Sequence, residues 1–235
     1  MDRNITLTSD EQELFNLLNK VVSKVAPGTT LRVAGGWVRD KLLGKMSDDI
    51  DFMIDNMSGE KIARLIAQEL GIAGPHVVKA NPDASKHLET AGMKVTISNG
   101  TEFDLDFAIA RQEIAREDSR IPDILPATPK EDAFRRDLTI NSLFYNISNG
   151  NIEDFTGLGF KDLENKTIRT PEAPFKTFKD DPLRIFRTIR FVARYNGEVD
   201  PQTLIAMKDP RLQAEIQRKL SKERIEVELS KILKG

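Results

Sequence analysis

The 235-residue chain contains no cysteine, which excludes a disulfide framework, a thiolate metal site and a cysteine nucleophile. Histidine is nearly as scarce. His76 and His87 are the only two, and neither has a partner at metal-ligand spacing, so surface or packing roles are expected for both. No apolar run approaches the ~20 residues that span a bilayer. The opening residues, Met1 to Thr6, carry neither a signal-peptide apolar segment nor the Arg-rich character of a transit peptide. A soluble intracellular protein with no membrane partner is therefore expected. A surplus of positive charge is missing too: 35 Lys and Arg stand against 37 Asp and Glu. That balance speaks against gripping nucleic acid over the whole surface, while leaving room for a local basic site.

What is present reads as one good-sized domain with an appendage. Thr8 and Glu11 form a capping-box pattern ahead of Leu14, Phe15, Leu18, Val21, Val22 and Val25, a helical spacing that ends at Pro27-Gly28. A short strand, Leu31 to Ala34, runs into Gly35-Gly36, and Trp37 to Leu43 predicts a short helix closed by Gly44. Ile50 to Ile54 alternates as a strand. A second capped helix starts near Ser58 and ends at Gly71. Val77 to Lys79, Met93 to Ile97 and Phe103 to Ala110 predict further strands, with Asn99-Gly100 as a hairpin turn. Strands dominate the middle and helices flank it, so the expected class is α+β. Arg111 to Ala133 carries many charges and Pro122, Pro126 and Pro129, and is expected to be a long mobile loop. From about residue 175 the pattern is helical over Pro182 to Tyr195, Pro201 to Met207 and Lys222 to Leu233. The expected division is a head over 1–174 and a helical segment over 175–235.

The chemistry begins at Asp49-Ile50-Asp51. Side chains alternate along a strand, so Asp49 and Asp51 share one face while Ile50, Phe52 and Ile54 enter the core. Two adjacent carboxylates repel unless a cation neutralises them, and Mg²⁺ suits a few carboxylates combined with substrate phosphates. A solvated acidic strand face would show the same spacing. A second acidic parity, Glu102, Asp104 and Asp106 opposite Phe103, Leu105, Phe107 and Ile109, favours the metal reading. If the two strands are neighbours, the carboxylates converge as a two-metal phosphoryl-transfer site requires. Asp106 is the expected third ligand and Asp104 the alternative. Gly35-Gly36, between a strand and a helix start, can admit a phosphate to bare backbone, with Arg39 placed to fork onto it.

Gly35 to Gly44, followed by Asp49-Ile50-Asp51, resembles the opening motif of the class II tRNA nucleotidyltransferases, which comprise CCA-adding enzymes and bacterial-type poly(A) polymerases. Arg135-Arg136-Asp137 through Asn141, Gly159 through Leu163, Asp181 through Arg187 and Ser221 through Ile225 resemble the four motifs that follow. The stretch from Arg135 to Pro171 is most similar to eukaryotic CCA-adding enzymes. The resemblance implies a polymerase-β-like head with a mixed sheet, then a helical neck. It implies that C, C and A from CTP and ATP are added to the 3′ end of tRNA without a template. It assigns Asp49, Asp51 and Asp106 to catalysis and Mg²⁺. It assigns Gly35, Gly36, Arg39, Arg136, Asp137, Asp181, Arg184, Arg187 and Arg190 to the nucleotide. Asp181 and Arg184 fit that role chemically. At i and i+3 they would neighbour each other on one helix face, offering acceptor oxygens and a donor fork to the amine and ring nitrogen that cytosine and adenine share. Ser221 reads more simply as the cap of the last helix, and Glu223 and Arg224 as its surface charges.

Two departures qualify the resemblance. Asp180 stands where many bacterial members carry Glu. The family's larger helical body and tail, which hold the tRNA acceptor arm, do not follow before Gly235, so nucleotide binding is expected to be intact and the grip on tRNA poor. The alternatives are a poly(A), A-only or CC-only enzyme, or a non-catalytic fragment that binds a nucleotide or an RNA end. In the family, a flexible loop in the Arg111–Ala133 region is associated with the final A, which argues against a CC-only product.

Overall fold

The computed structural model describes residues 3–47, 49–78, 90–114 and 123–234; His87 and residues 115–122 lie outside them. Helix α1 (Ser9–Val25) starts as its sequence dictates. The Thr8 hydroxyl accepts from the Glu11 N–H at 3.2 Å, and the Glu11 carboxylate accepts from the Thr8 N–H at 2.7 Å. Strand β1 (Arg32–Ala34) leads into helix α2 (Gly36–Leu42), then strand β2 (Ile50–Ile54) and helix α3 (Gly59–Leu70). Ser58 caps α3, and Gly71, in the left-handed conformation, ends it.

The main sheet is completed by β3 (His76–Val78), β4 (Thr90–Thr96), β5 (Glu102–Ile109), β8 (Leu143–Asn146) and β9 (Asn151–Asp154). Its order is β3-β4-β5-β2-β1-β8-β9. All its pairings are antiparallel except β2 with β5, so the sheet is mixed, as expected. Alternation works as predicted: Ile50, Phe52 and Ile54 are buried with Leu105 and Phe107, against Leu14, Phe15, Leu18, Ile62 and Ile66 of α1 and α3. Phe15, Trp37 and Tyr145 add edge-on and tilted ring contacts at 5.6–6.0 Å.

The segment from Arg111 to Ala133 is not a structureless loop. Strands β6 (Arg111–Ile114) and β7 (Asp123–Pro126) pair as an antiparallel hairpin, and helix α4 (Pro129–Arg135) follows. Thr128 and Glu131 cap α4 reciprocally, with Pro129 in its first turn. Pro126 sits at a strand end and Pro129 at a helix start, both places that tolerate proline; Pro122 lies outside the described residues. Ala133 joins Ala34, Met53, Ala110 and Phe144 in a small core on the opposite face of the sheet.

After β9 come helix α5 (Gly159–Asn165), strand β10 (Thr167–Ile168), helices α6 (Pro174–Asp180) and α7 (Leu183–Tyr195), strand β11 (Glu198–Val199), and helices α8 (Pro201–Met207), α9 (Arg211–Lys219) and α10 (Lys222–Lys234). The region from residue 175 is thus helical apart from β11, which pairs in parallel with β10. Phe178, Ile185, Ala206 and Leu212 form its own core, while Phe191 of α7 packs into the main one. Among the described residues no helix is long and apolar enough to cross a membrane.

Candidate active site

A cleft of about 940 Å³ lies between the interior strands β1 and β2 and helices α7 and α10. Its lining carries eight Arg or Lys side chains and five Asp or Glu, so a chain of net charge −2 concentrates positive charge here. Such a cleft attracts a polyanion.

Its floor is the turn between β1 and α2. Gly35 has φ +65° and ψ −107°, a conformation that glycine alone adopts at little cost. A Cβ at this position would also lie 3.0 Å from Arg136 Nη1 and 3.1 Å from the Asn141 carbonyl oxygen. Bare backbone therefore faces the cleft at the start of α2.

One wall is acidic. Strands β2 and β5 are parallel neighbours whose register sets Asp51 directly beside Asp106. Asp49 is exposed just before β2. Desolvation by the surrounding protein raises the Asp51 carboxyl above the ordinary carboxylate range; the charges of Asp106 and Asp49 push the same way, and Arg136 only partly opposes them. Gly92 lies across from Asp106 on β4, and a Cβ there would stand 3.0 Å from the Asp106 Oδ1 and 3.3 Å from the His76 ring. The missing side chain leaves space for that carboxylate. Asp104, the alternative ligand, points instead to Lys94 at 3.7 Å. Among the described residues, no three acidic or histidine side chains are arranged to hold a metal ion unaided. The donor set nevertheless fits Mg²⁺. Asp51 and Asp106 offer hard carboxylate oxygens at mutually repulsive positions, and Mg²⁺ ordinarily completes its shell with water and substrate phosphate.

The opposite wall is built on buried ion pairs. Asp132, almost wholly buried, binds Arg135 at 2.6 Å and Arg136 at 2.9 Å. Burial would raise its carboxyl, but the two guanidiniums outweigh that and hold it low. Asp137 does the same for α7, binding Arg187 at 2.7 Å and accepting from the Asn141 amide at 3.0 Å. Burial opposes its ionisation; Arg187 and Asn141 prevail and bring it down to about 2.

Several expected roles look different in place. Arg39 borders the cleft, but its guanidinium is occupied. It donates to both Asp40 oxygens at 2.9 and 3.0 Å and to Asn141, and lies over the Phe191 and Tyr195 rings at 5.0 and 5.4 Å. Asp181 and Arg184 both line the cleft, though not from one helix face. Asp181 has extended backbone angles, φ −136° and ψ 98°, as the C-cap of α6, because the following Pro182 disfavours the helical region for it. It leads into α7 by accepting from the Leu183 N–H at 3.2 Å. Arg187 borders the cleft while held by Asp137. Arg190 is not among the lining residues; it pairs with Glu228 at 2.9 Å. Asp180 is raised chiefly by burial.

Helix α10 closes the cleft, contrary to the surface role expected for Arg224. Ser221 does cap it, accepting from the Arg224 N–H at 3.4 Å. The Arg224 guanidinium, however, reaches both Asp181 oxygens at 3.4 Å, and Glu223, Glu228 and Lys231 line the cleft beside it. The sequence reading missed Asp132, Glu228 and Lys231. Only an i,i+3 spacing between Glu228 and Lys231 hinted at their pairing, at 3.6 Å.

Comparison with known proteins identifies the family and the fold. Residues 31–169 match the family described as the poly A polymerase head domain. The mitochondrial CCA tRNA nucleotidyltransferase of Saccharomyces cerevisiae is 46% identical over 248 residues, covering 98% of this chain and 44% of that protein. A solved CCA-adding enzyme in an apo form superposes with a TM-score of 0.77 at 29% identity, over 97% of this chain and 50% of the other. A complex of a CCA-adding enzyme with ATP gives a TM-score of 0.73 at 28% identity, over 97% and 48%. The chain spans about half the length of these relatives.

Proposed function

This chain belongs to the poly A polymerase head-domain family, and on that premise we propose that it transfers nucleotides from CTP and ATP to the 3′ end of a tRNA, in the order C, C, A. The observation that carries the proposal is the register of Asp51 beside Asp106, facing a cleft whose basic lining includes Arg136, Arg184 and Arg224. Acid wall and basic wall together match a nucleoside triphosphate with its metal ions.

In this reading the Gly35-Gly36 turn takes the triphosphate on the Gly36 backbone N–H at the start of α2, the Gly35 N–H being spent on the Leu143 carbonyl at 2.9 Å. Arg136, pinned by Asp132, adds charge to the same region. Arg39 buttresses the turn from beneath, and Arg187 and Arg190 orient α7 and α10. Asp181 and Arg184 face the base: the carboxylate accepts from the exocyclic amine and the guanidinium donates to the ring nitrogen. Guanine and uracil reverse that pattern, which leaves buried groups unpaired at a cost of about 1–3 kcal/mol each. Asp49, Asp51 and Asp106 would hold two Mg²⁺ ions. Bound there, the ions supply Lewis-acid activation of the RNA 3′ hydroxyl and neutralise charge at the triphosphate. The hydroxyl oxygen bonds to the α-phosphorus, its proton passes to solvent, and the bond to the bridging oxygen breaks to release pyrophosphate. Residues 1–174 serve as the head and 175–235 as the neck that carries the base-reading pair.

The test is product sizing. A tRNA ending at its discriminator base, incubated with CTP, ATP and Mg²⁺, should lengthen by three nucleotides and not without Mg²⁺. A stop after two residues, one added A, or a long A tail would assign a CC-only, A-only or poly(A) product. Tight nucleotide binding with no extension of any RNA end would favour a binding fragment.

A further inference from the structure

Asp40 and Tyr195 belong to neither the acidic wall nor the base-reading pair, yet one chain of polar contacts, buried at its centre and half-buried at its two ends, runs through both. From Arg187 on α7 it passes to Asp137 at 2.7 Å, to Asn141 at 3.0 Å and on to Arg39. Arg39 then grips Asp40 at 2.9 and 3.0 Å, and the Tyr195 hydroxyl returns the chain to α7 by donating to Asp40 Oδ1 at 3.0 Å. Arg194 adds a contact to Asp40 at 3.7 Å. Arg187 and Tyr195 are eight residues apart, about 12 Å along the helix axis. One anchor would let a helix pivot; two anchors at that separation fix its direction.

We propose that the chain Arg187–Asp137–Asn141–Arg39–Asp40–Tyr195 sets the angle of α7 against the Gly35-Gly36 turn, making Asp40 and Tyr195 positioning residues for nucleotide choice. The inference rests on the reading of the cleft as a nucleotide site. Its lever is geometric. Arg184 lies on the first turn of α7 and Asp181 just before it, so tilting α7 about Arg187 moves the base-reading pair relative to the turn. The components are suited to a permanent latch. Burial would raise the Asp40 carboxyl, but its bonds to Arg39 and Tyr195 keep it low and ionised. Burial chiefly lifts the Tyr195 hydroxyl to about 12, so it remains a donor at neutral pH. The ring also stacks on Phe191 at 5.8 Å and 6°, a contact that phenylalanine would keep.

Tyr195→Phe therefore removes the hydrogen bond and spares the packing, and Asp40→Asn removes the charge at constant shape. Each variant of the 235-residue chain would be titrated with ATP, CTP, GTP and UTP in Mg²⁺ by calorimetry, with Tm measured alongside. The wild type should prefer ATP and CTP. Tyr195→Phe should narrow the ATP:GTP affinity ratio by about three- to tenfold, the scale of one hydrogen bond, and Asp40→Asn should narrow it further. A ratio unchanged in both variants overturns the inference even if Tm falls, because the residues would then serve packing alone. A wild type with no preference for ATP and CTP overturns the nucleotide-site reading itself.

Discussion

Two pairs of carboxylates at this cleft behave oppositely: Asp137 and Asp51 line it, while Asp132 is paired to the lining Arg135 and Arg136 and Asp106 is set beside Asp51. Asp132 and Asp137 are buried, each is matched to arginine, and both are held below the ordinary range. Asp51 and Asp106 stand side by side, form no ion pair among the described residues, and Asp51 is pushed upward. The first set is complete within the polypeptide and shapes the cleft. The second has only the nearby Arg136 charge to oppose its repulsion, and in the proposed reading a cation from outside completes it. Burial and matching of charge together separate the architectural acids from those proposed to act on substrate: Asp132 and Asp137 are buried and paired, while Asp51 and Asp106 are exposed and unpaired among the described residues.

The contrast can be broken most severely at the unmatched acids. Asp51→Asn or Asp106→Asn should lower nucleotide transfer at least about a thousandfold, the several kcal/mol that metal-assisted stabilisation supplies. Relieving the repulsion should leave Tm unchanged or higher, and a thermal melt beside the extension assay reads both.

At the matched acids the pattern should invert. Asp137→Ala leaves Arg187 with only the long 3.9 Å contact to Glu228 and should cost about 3 kcal/mol of stability in urea unfolding. Proton titration gives a gentler version of the same loss. Because the folded pKa of Asp137, about 2, lies below its unfolded value, its contribution is fully present above pH ~4. It should disappear as pH falls from ~4 to ~2, removing about 2 kcal/mol. Asp137→Asn should flatten that part of the stability–pH curve. The smallest effect belongs to Gly92→Ala. Its Cβ would press on the Asp106 carboxylate from 3.0 Å, so activity should require several-fold more Mg²⁺ while Tm changes by only a few degrees.

Local signals made much of this legible in the sequence. The Thr8–Glu11 capping box, the Ser58 cap and the alternation through Ile50, Phe52 and Ile54 fixed elements whose causes lie within a few residues. The acidic parity around Asp106 depended on one conditional, that β2 and β5 are neighbours, and they are. Contacts between distant segments stayed hidden. Arg39 finds Asn141 102 residues later and the Phe191 and Tyr195 rings later still, so spacing alone left it looking like a free phosphate fork. The β6–β7 hairpin was obscured by charge and proline. Helix α9 offered only Leu212 and Ile216 as an apolar stripe. Arg224 read as a surface charge because the packing of α10 on α7, which delivers it to Asp181, has no sequence signature. Asp181 itself was misplaced onto α7 although Pro182 marked the break.

Manganese binding followed by electron paramagnetic resonance, with CTP present, tests most directly whether the unmatched acids await a cation. The wild type should bind Mn²⁺ in the presence of CTP, Asp51→Asn should lose most of that binding, and Asp137→Asn should retain it. Equal Mn²⁺ binding by wild type and Asp51→Asn would contradict the account.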